Sequence, residues 1–137
     1  MKGRTLLLTL LVIVSFTACD SGGVPAPPLP GTVHMLSPNG GEVWRVDKVK
    51  MIRWEVIGQT SPRNIVELVS ASDGQIWGMG TGSVTNPELS WQVGYDEYSN
   101  RIDIPKEGKQ FRMRVRDTEA LKFDDSDTSF TILPKKK

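Results

Sequence analysis

The chain has 137 residues and carries 17 Lys and Arg against 16 Asp and Glu, a formal net charge of +1. That length suffices for one hydrophobic core, and such a charge balance leaves no electrostatic footprint for nucleic acid, which is excluded as a partner. A single cysteine and a single histidine also argue against a zinc site, which needs three or four ligands.

Residues 1–18 have the layout of a secretory signal: basic Met1-Lys2-Gly3-Arg4, an apolar run from Leu6 to Phe16, then small residues before Cys19. The run is too short for a stable transmembrane helix, which needs about 20 apolar residues. Losing Lys2 and Arg4 with the signal leaves a mature net charge of −1. The stretch Phe16-Thr17-Ala18-Cys19 resembles the lipobox of bacterial lipoproteins, with Phe16 where Leu is usual. In those proteins a signal peptidase cuts before a cysteine that already carries diacylglycerol. The resemblance implies lipidation of Cys19, with palmitate-type chains, and a place in the cell membrane or outer membrane facing the periplasm or exterior. The alternative is an ordinary signal peptide ending near Ala18 and a free thiol. Each buried acyl methylene adds about 0.8 kcal/mol, so two or three chains make an anchor that does not exchange. Asp20 resembles the residue that retains lipoproteins in the inner membrane of enteric bacteria.

Residues 19–31 form a linker with Pro25, Pro27, Pro28 and Pro30, a composition that favours extended polyproline geometry over core packing. At about 3.1 Å per residue, a dozen such residues hold a domain up to about 35 Å from the bilayer. From residue 32 to 134 short alternating segments are separated by Gly, Pro, Asn and Asp, and no stretch has a convincing helical period. Strands are predicted over Val33–Ser37, Lys50–Val56 with Ile52, Trp54 and Val56 inward, Ile65–Ser70 and Gln75–Met79. Further strands follow over Leu89–Val93 with Trp91 inward, Phe111–Val115 and Ser126–Leu133. Seven strands in about 100 residues suggest an all-β sandwich. Pro38-Asn39-Gly40-Gly41 reads as a turn before the stretch Glu42–Val46, and Asp73-Gly74 as a tight hairpin of type I′. Lys135-Lys136-Lys137 closes the chain as a basic tail, read as solvated.

The run Ser37-Pro38-Asn39-Gly40-Gly41-Glu42-Val43-Trp44, followed by Val46 and Ile52-Arg53-Trp54, resembles the opening of a known immunoglobulin-like domain. That domain belongs to the Ser-Thr-rich glycosylphosphatidylinositol-anchored membrane family, found at the N-terminus of yeast cell-wall β-glucan assembly proteins and in bacterial surface proteins. Leu89-Ser90-Trp91-Gln92-Val93, Gln110–Val115 and Ser126–Leu133 are similar to its later strands. The resemblance implies an immunoglobulin-like or fibronectin III-like β-sandwich of about seven strands, used as a surface module without catalytic residues or cofactor. Its expected partner is an envelope protein, with a cell-wall or surface polysaccharide as the alternative.

Candidate chemistry is sparse. His34 lies in the first strand with no nucleophile signature nearby. Gly78-Met79-Gly80-Thr81-Gly82 lacks the following helix that a phosphate loop needs and reads as a flexible strand end. Asp124, Asp125 and Asp127, with Asp117 and Glu119 shortly before, are candidates for calcium, which takes clustered oxygen ligands, although the spacing lacks the loop pattern of a calcium-binding hand. Of the four tryptophans, Trp54 and Trp91 read as core residues facing each other across the sandwich, and Trp44 as core edge. Trp77, among small residues on the hairpin, either presents an open aromatic face for binding or fills the sheet edge.

Overall fold

The computed structural model describes residues 31–137 except 59, 120 and 121. The segment expected to be a signal, Cys19 and the proline-rich stretch through Pro30 therefore lie outside the described residues. Among the described residues there are nine strands: β1 Thr32–Ser37, β2 Val43–Arg45, β3 Val49–Ile57, β4 Arg63–Ser70, β5 Ile76–Ser83, β6 Glu88–Gln92, β7 Lys109–Asp117, β8 Phe123–Asp125 and β9 Phe130–Leu133. Apolar and polar residues alternate most clearly in β3 and β7. In β3 the Ile52 and Trp54 side chains are buried while Met51, Arg53 and Glu55 are exposed, the period-two pattern of a strand with one face inward.

The strands assemble into two sheets, β1-β3-β6 and β2-β9-β7-β4-β5, with β8 pairing to β7 beside β9. The chain changes sheet between β1 and β2, and β2 runs parallel to the final strand β9. Two sheets with this exchange form an immunoglobulin-like, fibronectin III-like β-sandwich. The sequence anticipates the class and most strands. The count of nine differs from seven because the short stretch after Gly41 pairs as β2, and the last predicted strand is shorter, with β8 preceding it.

Trp54, Phe111, Phe130, Ile52, Leu68, Met113 and Ile132 are fully buried between the sheets. Removing each such apolar side chain from water is worth about 1.5–3 kcal/mol. Trp54 and Trp91 are both inward, as expected, but sit on the neighbouring strands β3 and β6 of one sheet and do not face each other across the core. Trp91 instead meets Trp44 of the opposite sheet at 6.1 Å between ring centroids, and Trp44 continues to Phe130 at 5.2 Å. The Trp54 indole lies beneath Gly82 of β5, where a Cβ would run into its outer ring, and its Nε1 donates to Asn64 Oδ1 at 3.0 Å. Gly82 is thus a point of close approach, and the glycine run is the body of β5, not a flexible end.

The β4–β5 turn is also longer than a two-residue hairpin. Ser70 N–H donates to Gln75 O at 2.8 Å and Gly74 N–H to Ser70 O at 3.0 Å. Gly74 alone of the Asp73-Gly74 pair takes positive φ, at 71°. A four-residue loop with a single left-handed glycine replaces the type I′ geometry, which needs positive φ at both positions.

The registers define two ends. Thr32 pairs with Ile57, whereas Val49 at the start of β3 pairs with Gln92. The eight steps from Val49 to Ile57 separate these ends by about 26 Å at about 3.3 Å per residue. Arg45 pairs with Leu133, Ile132 with Lys109 and Phe111 with Ser70. The β2–β3 turn, the β4–β5 turn, the β6–β7 loop and residues 134–137 therefore gather at the end opposite Thr32, called here the far end.

Candidate functional site

Trp77 pairs with Leu68, whose side chain is buried, so its indole also points inward, at the far-end margin of the core. It meets Phe111 edge-on, with centroids 5.9 Å apart and planes at 67°. Lys109 lies two residues before Phe111 on the same face of β7, which brings its ammonium 5.5 Å from the Trp77 ring and 5.7 Å from Phe111. Lys109 Nζ is also 3.6 Å from Asp73 Oδ2. The Ser70 hydroxyl, then the Gln75 backbone N–H, hold the Asp73 carboxyl below its usual pKa.

Beside these residues lies a concavity of about 590 Å³ lined by Ser72, Gln75, Trp77, Arg101, Asp103 and Lys109, among others. Trp77 is half-buried and packed against the core. Of the two expectations for it, the sheet-edge filler describes its packing, while its rim lines the concavity under the lysine.

The acidic residues are brought to different places. Asp124 Oδ2 accepts the Met35 N–H at 2.8 Å and so covers the outer edge of β1. Asp125 takes a two-pronged bond from Arg114, at 2.6 Å from Nε and 3.0 Å from Nη2. That pairing raises the Arg114 pKa. Asp127 exchanges bonds with the Asn39 side chain, accepting from Nδ2 at 2.8 Å and donating its own N–H to Oδ1 at 2.9 Å. Asp117 is buried and accepts from the Ser61 N–H and hydroxyl, both at 2.9 Å. Among the described residues no three His, Cys, Asp or Glu side chains converge as a metal ion requires. The three calcium candidates, Asp124, Asp125 and Asp127, instead have separate partners, and each latches one element to another.

His34 is half-exposed between Thr32, 3.5 Å from Nε2, and Asp124, 3.9 Å from Nδ1. The order hydroxyl, imidazole, carboxylate is that of a nucleophilic triad. Both separations exceed the roughly 2.6–3.2 Å of a working relay, and Asp124 Oδ2 is already engaged by Met35.

One cluster was not singled out in the sequence. In the β2–β3 turn, Asp47 takes positive φ, at 69°. Its carboxylate accepts from Lys135 Nζ at 2.9 Å and from the Tyr95 hydroxyl at 2.9 Å. Lys135, ahead of Tyr95, holds the Asp47 pKa below its ordinary value, while Asp47 raises those of Lys135 and Tyr95. Lys135 is thus clasped to the domain although its side chain is 69% exposed. No periodic signal links residues 88 positions apart, so only the fold reveals the pair.

No family model matches the chain, and no curated protein matches it. Among solved structures, it is similar to the fibronectin(III)-like modules of Clostridium thermocellum CbhA, with a TM-score of 0.45 and 11% identity over 77% of this chain. The match spans 47% of that structure, so this chain corresponds to about half its length.

Proposed function

We propose that this chain is a lipid-anchored extracytoplasmic protein whose immunoglobulin-like module binds other proteins of the cell envelope and catalyses no reaction. The anchor rests on the resemblance of Phe16-Thr17-Ala18-Cys19 to a lipobox and on the proline-rich stretch that follows. The similarity of Ser37–Trp44 and the later strands to a surface-module family supports the same reading.

The observation that carries protein binding is the pair of open sheet edges at β2 and β6, each the last strand of its sheet among the described residues. By contrast, the edges of β5 and β1 are partly covered. Glu97 N–H donates to Gly78 O at 2.9 Å beside β5, and Asp124 holds Met35 beside β1. An uncovered edge offers backbone donors and acceptors to an added strand. Val43 in β2 and Val49 opposite the end of β6 are 60% and 68% exposed, which adds apolar surface beside those edges.

Polysaccharide binding is the second reading, favoured by the concavity where Trp77 meets Gln75, Ser72 and Asp103. Sugar stacking would require Lys109 to leave the Trp77 ring. Tagged full-length protein in detergent, incubated in parallel with envelope proteins and with immobilised envelope polysaccharides, separates the readings. A reproducible stoichiometric protein partner is expected. Retention by polysaccharide without any protein partner would favour the second reading.

A further inference from the structure

Two grooves adjoin at the far end. One, of about 310 Å³, is lined by Val43, Trp44, Arg45, Lys48, Val49 and Lys50. The other, also about 310 Å³, shares Arg45 and Lys48 and adds Val46, Asp47, Lys135 and Lys136. Together their walls hold five cations and one carboxylate, and that carboxylate is already bound by Lys135 and Tyr95. Among the described residues, Arg45, Lys48, Lys50 and Lys136 form no salt bridge. In a chain of nearly balanced charge, the walls of these two grooves thus gather cations without carboxylate partners.

Resting on the protein-binding reading above, we infer that this far-end groove receives an acidic polypeptide segment of a partner protein, laid along the open edge of β2. Charge complementarity sets the sign of the partner. The exposed Val43 and Val49 on the groove's wall call for apolar side chains among the acids, which a polypeptide supplies and an anionic glycan does not. The aromatic floor offers no sugar platform, because Trp44 is only 7% exposed and lies under Phe130, Trp91 and Lys50. The described chain enters the sandwich at Thr32, at the end opposite the groove, so the residues before β1 do not line it.

The test uses full-length protein in detergent and a labelled peptide of about twelve residues alternating glutamate and valine, long enough to lie as one strand. Binding by fluorescence anisotropy is expected, weakening as salt rises. Lys48→Glu/Lys50→Glu should weaken it about tenfold or more, Lys48→Gln/Lys50→Gln less, and Arg63→Glu at the opposite end not at all. Thermal melts confirm that each variant is folded; the glutamine pair decides the matter should the glutamate pair unfold. Absence of peptide binding, equal binding by wild type and both pairs, or binding only to phosphatidylglycerol vesicles or polygalacturonate would each overturn the assignment. If the charge-reversed protein keeps the envelope partners of wild type, the protein-binding reading stands and this surface does not. If wild type has no protein partner, the reading itself fails.

Discussion

The contact between Gly82 and Trp54 offers a stability test that depends on the pairing of the two sheets. Gly82 has ordinary φ, so an alanine there meets no backbone strain, but its Cβ would overlap the outer ring of Trp54, which is 1% exposed. Overpacking of this kind costs about 1–3 kcal/mol. Trp54→Phe removes the outer ring and withdraws the donor to Asn64 Oδ1. Asn64 is fully buried and its Nδ2 finds no partner among the described residues, so the amide would then lose its one observed side-chain bond. That loss adds about 1–3 kcal/mol to a packing defect of about 1 kcal/mol. In the double variant the shorter phenyl ring makes room for the alanine, so the combined cost should fall short of the sum by about 1 kcal/mol or more. Urea unfolding followed by circular dichroism on the four proteins measures this coupling. Strictly additive costs, or a Gly82→Ala protein as stable as wild type, would show that β5 does not cross over Trp54.

Acid should destabilise the domain through Asp47, Asp73 and Asp96, whose pKa values are all lowered from 3.8. Their causes are, first in each case, bonds from Lys135, Ser70 and Asn100. Groups with lowered folded values contribute fully above the unfolded value and lose that contribution as pH falls through the folded one, so the Tm should be level above about pH 5 and drop below pH 3.8, less steeply in Asp47→Asn. Trp77→Ala removes a half-buried ring from Phe111 and Lys109 and should cost about 2 kcal/mol, near half the penalty of a fully buried tryptophan; an unchanged melt would mean that Trp77 is a free-standing surface residue. Cys19→Ser should abolish palmitate labelling and detergent partitioning, and persistence of both would refute the lipid anchor.

Much of the fold is legible because strand alternation is a local signal. Ile52-Arg53-Trp54 and Phe111-Arg112-Met113 reveal their inward faces without any knowledge of the partners. What alternation cannot supply is which sheet a strand joins, and that is why the sequence sets Trp91 against Trp54 when its partner is Trp44. The glycines of β5 look like flexibility in one dimension; in three, Gly82 is the space that Trp54 occupies. The acidic run after residue 122 suggests a shared ligand in sequence, yet the pleat and the loop send Asp124 to β1, Asp125 to Arg114 and Asp127 to Asn39. The far-end groove is the least legible feature, since Arg45 and Lys48 meet Lys135 and Lys136 only through the parallel pairing of β2 with β9.

The central claim, that a tethered immunoglobulin-like module engages proteins of the envelope, is tested most directly by crosslinking the full-length lipidated protein in intact cells and identifying the adducts by mass spectrometry. Discrete protein adducts, absent when the tagged chain is omitted and removed by protease, are the expected result. Adducts that survive protease and contain only polysaccharide, or no adducts at all, would contradict it.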